Sequence, residues 1–278
     1  MIVFDNVTFR YKKKKVLDNF SFSLEKGKVY GLLGKNGAGK STMLYLMSGL
    51  LFPQEGQVLF NGENMAKRKP SALADIFIVP EEFYLPNMQL LKYVKVNSPF
   101  YPNFSMEQLE KNLEFFEMDT TVNLGELSMG QKKKVFMSFA LAANTSLLVM
   151  DEPTNGLDIP SKSQFRRFMA SGMSDDKTIL ISTHQVKDVE KLLDQIVILD
   201  DRNVLLNASV LDVCKKLSFL DGVQGPQVSE ALYAMPTLSG NKLILPNKDG
   251  EETPLDLELL FNAVLSHPES IASMFNDL

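Results

Sequence analysis

The 278-residue sequence has a single cysteine, Cys214, and only two histidines, His184 and His267. One cysteine excludes a disulfide framework and a cysteine-built zinc centre, and it fits a reducing compartment. A basic excess is missing too: the net charge is −5, so no global positive field recruits nucleic acid, and none is expected as a partner. Long apolar runs are absent. The longest, MLYLMSGLLF at residues 43–52, is about half of a membrane span. The opening residues MIVFDNVTFRY lack the charged segment and apolar stretch of a signal peptide. The sequence therefore reads as a soluble chain whose membrane role, if any, comes through a partner. Neither an internal repeat nor a low-complexity tract occurs.

What is present is an ordinary globular composition, 45% apolar and 23% charged, ample for one large domain or for a domain with an appendage. IVFDNVTFRY and VLDNFSFSLEKGKVYGLLG are rich in β-branched and aromatic residues and predict antiparallel strands. The KKKK run at 12–15 between them reads as a solvated hairpin tip. QVLFNG and DIFIVP predict further short strands, and the pattern turns helical from Leu85 to Ala143. There, Ser105 with Gln108 three residues on predicts a capped helix start. SLLVMD, TILIST and QIVILD are unbroken apolar runs separated by helical stretches, the signature of a parallel sheet covered on both faces. After about Ala208 the character changes: a short helix at SVLDVCKKL, a strand and turn at NKLILPNKDGEE, and an amphipathic helix beginning at Pro254.

Chemistry enters with GKNGAGKS, residues 34–41, placed between a strand and a helix. In that context it is a phosphate loop: Gly34, Lys35, Asn36, Gly37, Ala38 and Gly39 turn backbone N–H groups toward phosphate oxygens. Lys40 reaches the β and γ phosphates, the Ser41 hydroxyl ligates Mg²⁺, and Thr42 follows it. LLVMDEP, 147–153, ends an apolar strand in two carboxylates. Asp151 is placed to support Mg²⁺, and Glu152 to take a proton from an attacking water. His184 follows a third apolar strand, where ligands of open α/β sheets bind. One further stretch is odd. In LGELSMGQKKKV, 124–135, Ser128 and Gln131 form a capping box, yet Lys132, Lys133 and Lys134 sit at the positive end of the helix dipole. Capping donors and positive charge together make an anion site.

With LSMGQ at 127–131, these pieces resemble the ATP-binding subunit of the ABC transporter family over residues 1 to about 207. Their order is specific, with 88 residues from Lys40 to Ser128, 23 from Ser128 to Asp151 and 32 from Glu152 to His184. The resemblance implies an α/β fold: a phosphate-loop ABC ATPase core with a mixed sheet, N-terminal antiparallel strands and a helical subdomain at about 85–143, followed by a small C-terminal region at 208–278. It implies an ATPase that takes ATP and Mg²⁺, with Tyr11 stacking on adenine, Glu152 and His184 catalytic, and Asp158 of NGLD in the D-loop near a dimer partner. Ser128, Met129, Gly130 and Gln131 become the signature motif, which binds the γ-phosphate of ATP held by a second ATPase subunit, identical or not. The lysines are then tolerable because the nucleotide arrives in trans, although a solvated basic helix end remains the simpler reading for at least one of them.

Two departures stand out. Met129 replaces a common glycine, and Glu81 occupies the Q-loop position where glutamine is usual. Glu81 and SPFYPNFS, 98–105, resemble the branch serving ABC-2-type exporters. Glu81 is expected to point away from the site until the dimer closes. The implied partners are transmembrane permease subunits at the cytoplasmic face of the membrane. A soluble ABC-type ATPase with a non-transport role is the alternative. Against it, 88 residues leave no room for the coiled-coil insertion of chromosome and repair members, the chain holds one ATPase unit rather than two, and zinc cysteines are missing. A nucleotide-binding module without turnover conflicts with the presence of Glu152 and His184.

Overall fold

A computed structural model describes residues 1–275. In chain order the elements are β1 (Ile2–Tyr11), β2 (Lys14–Leu24), β3 (Val29–Gly34), α1 (Lys40–Met47), β4 (Glu55–Phe60), β5 (Glu63–Asn64), α2 (Pro70–Leu73), β6 (Ile76–Val79), α3 (Leu90–Asn97), α4 (Met106–Glu114) and α5 (Met129–Ala142). They continue with β7 (Leu147–Asp151), α6 (Ile159–Ser171), β8 (Thr178–Thr183), α7 (Val186–Val189), β9 (Gln195–Asp200), β10 (Asn203–Ser209), α8 (Val210–Lys216), β11 (Leu217–Val223), β12 (Tyr233–Thr237), β13 (Gly240–Pro246), α9 (Leu257–Ser266) and α10 (Pro268–Ala272).

The central sheet runs β10-β9-β3-β8-β7-β6. It is parallel except for β10, which pairs antiparallel with β9. A second, antiparallel sheet has the order β2-β1-β4-β5. The stretch 16–34, which reads as one extended segment, therefore divides: β2 pairs with β1, and β3 crosses to the centre of the main sheet. Gly27, at φ 73°, lies between the two, a left-handed conformation that glycine adopts at little cost.

Burial explains why the central strands carry unbroken apolar runs. Successive residues face opposite sides of a strand. Leu148, Met150, Ile179, Ile181, Ile196 and Ile198 enter one buried cluster, shared with α3, α4, α5 and α6. Leu147, Val149, Leu180, Val197 and Leu199 enter the other, shared with α1 and the antiparallel sheet. Neither face meets water, so no polar alternation survives.

The region after Ala208 is less separate than its composition suggests. β10 extends to Ser209 inside the main sheet. The three-stranded sheet β11-β13-β12 stands apart, but Leu257, Leu259, Leu260, Ala263 and Val264 of α9 join the same cluster as Val186, Val189 and Ile196. α9 starts at Leu257 rather than Pro254, because Asp256 supplies the cap by accepting from the Leu259 N–H. Lys187 pairs with Glu258 at 2.6 Å, and Glu190 accepts from the Leu257 N–H at 3.0 Å. Among the described residues no helix is long and apolar enough to cross a membrane.

Candidate nucleotide site

Three adjacent parallel strands, β3, β8 and β7, deliver the site at the C-terminal end of the main sheet's central strands. Register places Leu33 opposite Thr183 and Asp151 opposite Ser182. The phosphate loop, the paired carboxylates and His184 thus leave the C-terminal ends of neighbouring strands, where open α/β sheets bind ligands.

A cleft of about 350 Å³ forms there, lined by Tyr11, Asn36, Gly37, Gly39, Lys40, Ser41, Thr42, Glu81, Asp151 and Glu152, together with Lys14 and Val16. Gly37 and Gly39 hold φ of 85° and 103°, which opens the loop around the cleft. Lys40 is buried, and its Nζ donates to the carbonyls of Gly34 at 2.7 Å and Lys35 at 3.2 Å. Burial pulls the Lys40 pKa down, while Glu152, Asp151 and Glu81 act to keep it charged. Gly34, Lys35 and Ala38 shape the loop rather than that cleft. Lys35 and Ala38 line an adjoining hollow of about 550 Å³ with Lys13, Lys14, Lys15 and Arg202. The lysine-rich hairpin tip therefore overlooks the phosphate loop rather than open solvent alone.

Asp151 and Glu152 are both buried. Asp151 accepts a short hydrogen bond from the Ser182 hydroxyl. Glu152 accepts from Thr183 Oγ1 at 3.0 Å, from the His184 backbone N–H at 3.0 Å and lies 2.7 Å from His184 Nδ1. His184 thus reaches the cleft through Glu152. Tyr11 is about half exposed and packs edge-on against Phe9, leaving its ring free at the cleft mouth. Glu81 does not point away: it lines the cleft, and its carboxylate accepts from Asn155 Nδ2 at 2.8 Å. That bond replaces the hydration a carboxylate would otherwise seek by turning outward.

The signature residues stand outside this cleft. Ser128 caps α5 in a reciprocal capping box with Gln131, and Ser128, Met129 and Gln131 are exposed. Met129 is helical, with no positive φ, so replacing glycine introduces no backbone strain there. Asp158 caps α6 by accepting from the Ser161 N–H at 2.8 Å.

Sequence reasoning missed Ser182 and Thr183, and gave Lys133 and Asn155 no contact with the Glu152 loop or Glu81. The two hydroxyl residues had a signal, since they end an otherwise aliphatic strand directly before His184. Lys133 and Asn155 lie within motifs quoted above, but nothing in those motifs signals their contacts.

Residues 17–155 match the ABC transporter family model. The chain belongs to the ABC transporter family. It is 33% identical over 205 residues, 73% of its length and 69% of the relative's, to the ABC transporter ATP-binding protein YtrB of Bacillus subtilis. It is 34% identical over 206 residues, 72% of its length and 68% of the relative's, to Nod factor export ATP-binding protein I of Burkholderia orbicola. A solved ATP-binding subunit of an ABC transporter superposes with a TM-score of 0.68 at 25% identity, covering 77% of this chain and 91% of that one. The chain is thus an ATP-binding, ATP-hydrolysing subunit of an ABC transporter, a class that dimerises and works with membrane subunits. The cleft lined by the loop at 34–41, Asp151 and Glu152 is thus the candidate nucleotide site of an ATP-binding subunit.

Proposed function

We propose that this subunit powers export through separate permease subunits at the cytoplasmic face of the membrane, by closing head-to-tail on a second ATPase subunit around two ATP molecules. The observation that carries this reading is the split site. One cleft holds the phosphate loop and both carboxylates, while Ser128 presents capping geometry and helix-end positive potential outside it. A nucleotide in the cleft meets a signature motif only if another subunit brings one. Export is supported by the names of similar proteins, which include a Nod factor exporter, and by Glu81 at the Q-loop position.

The cleft fits Mg²⁺. Ser41 and Asp151 are hard oxygen donors in its lining, and Mg²⁺ typically takes one or two protein oxygens, with phosphate oxygens and water completing its shell. When bound, the ion neutralises phosphate charge. This chain's own groups do the rest. Lys40 offsets charge on the β and γ phosphates, and Tyr11 orients the base. Glu152 accepts a proton from the water that attacks the γ-phosphorus as the bond to the β-phosphate oxygen breaks. His184 and Thr183 hold the Glu152 carboxylate toward that water, and Asp158 fixes the start of α6 where the D-loop meets the partner.

Sedimentation tests the assembly. The Glu152→Gln chain should be monomeric alone and dimeric with ATP, and adding Ser128→Arg should abolish the dimer while the monomer stays folded. An identical dimer with and without ATP overturns the head-to-tail reading.

A further inference from the structure

The lysines at the start of α5 have three different fates. Lys134 donates to Gln164 Oε1 at 3.4 Å and lies over the Phe116 ring. Lys132 is half-buried. Lys133 is 6% exposed, and its Nζ donates to the carbonyls of Glu152 and Asn155, each at 2.9 Å. Both carbonyls belong to the loop leaving β7. Asn155 in turn donates to Glu81 at 2.8 Å.

The geometry at Glu152 needs such a grip. Its φ is 47°, in the left-handed region that a residue with a side chain enters only when its surroundings hold it there. Thr183 and His184 hold the carboxylate, and Lys133 holds the carbonyl on the other side of the same residue. Charge supports this arrangement. Burial lowers the Lys133 pKa, and Glu81, Glu152 and Asp151 favour its charged form. Lys133 itself does not line the cleft.

We propose that Lys133 is a positioning residue that ties the capped end of α5 to the loop bearing Glu152 and balances the charge of Glu81, so that Ser128 and Glu152 of one chain shift together. This rests on reading Ser128 as a contact to the partner's nucleotide. Five residues of helix, about 7.5 Å along the axis, then separate Ser128 from the lysine that grips the Glu152 carbonyl. Closure over one ATP sets the catalytic loop of the other site.

The test is a double-mutant cycle on the full-length chain, with steady-state ATPase and thermal melting as readouts. Lys133→Met should lower kcat at least tenfold with KM for ATP within threefold, because the residue touches the base's backbone and not the nucleotide. In a Glu81→Gln background the same substitution should cost at least threefold less in kcat, since part of the charge that Lys133 balances is gone. A purely structural lysine would lower the melting temperature in both backgrounds but show no coupling to Glu81. An equal kcat loss in the two backgrounds, or a raised KM with kcat retained, overturns the proposal. Should Lys133→Met not fold, Lys133→Gln is measured in its place, and failure of both to fold assigns Lys133 to folding alone and refutes it. Ser128→Arg, run in parallel, separates the two readings. If it leaves hydrolysis intact while Lys133 and Glu81 remain coupled, the contact in trans fails and the grip on Glu152 stands.

Discussion

Replacing Glu152 with glutamine separates chemistry from folding. The carboxylate has three partners: Thr183 Oγ1, the His184 N–H and His184 Nδ1. A glutamine in the same rotamer keeps an oxygen toward both His184 groups and turns its NH₂ to Thr183 Oγ1, which can accept. No bond is lost in number. What is lost is the charge assistance, on the order of 1 kcal/mol, which lowers the melting temperature by about 2–4 °C for a chain of this size. The rate loss is larger. A general base contributes roughly 10²–10⁴-fold, about 2.7–5.5 kcal/mol of barrier. Phosphate release at saturating ATP should therefore fall at least ~100-fold, while calorimetric ATP affinity stays within a few-fold and the melting curve barely moves. Turnover within tenfold of wild type, with ATP still bound, would refute the assignment of Glu152 as the base.

Lys40→Ala should act on binding itself: losing charge-assisted contacts of about 1.5–3 kcal/mol weakens ATP affinity roughly 10- to 100-fold, and an unchanged calorimetric Kd would count against the phosphate-loop assignment. Tyr11→Ala should weaken ATP by about 1–3 kcal/mol of lost stacking while leaving affinity for inorganic triphosphate unaltered; equal losses for both ligands would remove Tyr11 from the adenine. Leu260→Ala empties a fully buried position on α9 and should cost about 2–5 kcal/mol. Because that position belongs to the cluster under β7, β8 and β9, melting followed by loss of ATP binding should fall with it, and an unmoved curve would make α9 independent.

The parts legible in sequence were those where one local rule decides. Gly37 and Gly39 with Lys40 between β3 and α1, the aliphatic runs of β7, β8 and β9, and the capping box of Ser128 each follow from a short pattern with a mechanism. Position 81 was legible as a departure, but its orientation was not. Glu81 turns inward because Asn155, 74 residues away in sequence, offers a donor, and no period or motif encodes that meeting. Lys133 was illegible for a related reason. In the sequence it reads with its neighbours as part of an anion site or as a solvated helix end, and only the folded β7 loop supplies the two carbonyls that let it be buried. The C-terminal change in composition suggested a boundary near residue 207, whereas packing carries the core through it into α9.

That shared core bears on how readily tails could be exchanged between related subunits. Leu257, Leu259, Leu260, Ala263 and Val264 fill volume against Val186, Val189 and Ile196, and protein interiors tolerate changes of even a methylene poorly. A chimaera joined near residue 207 would have to match the donor's helix to the recipient's α7 and β9 in shape, and its tail would have to supply an acidic partner for Lys187 and a free backbone N–H for Glu190. A graft that ignores this leaves a hole or a clash two to five residues from His184, so heterologous tails should be selected by their fit to the segment that follows His184.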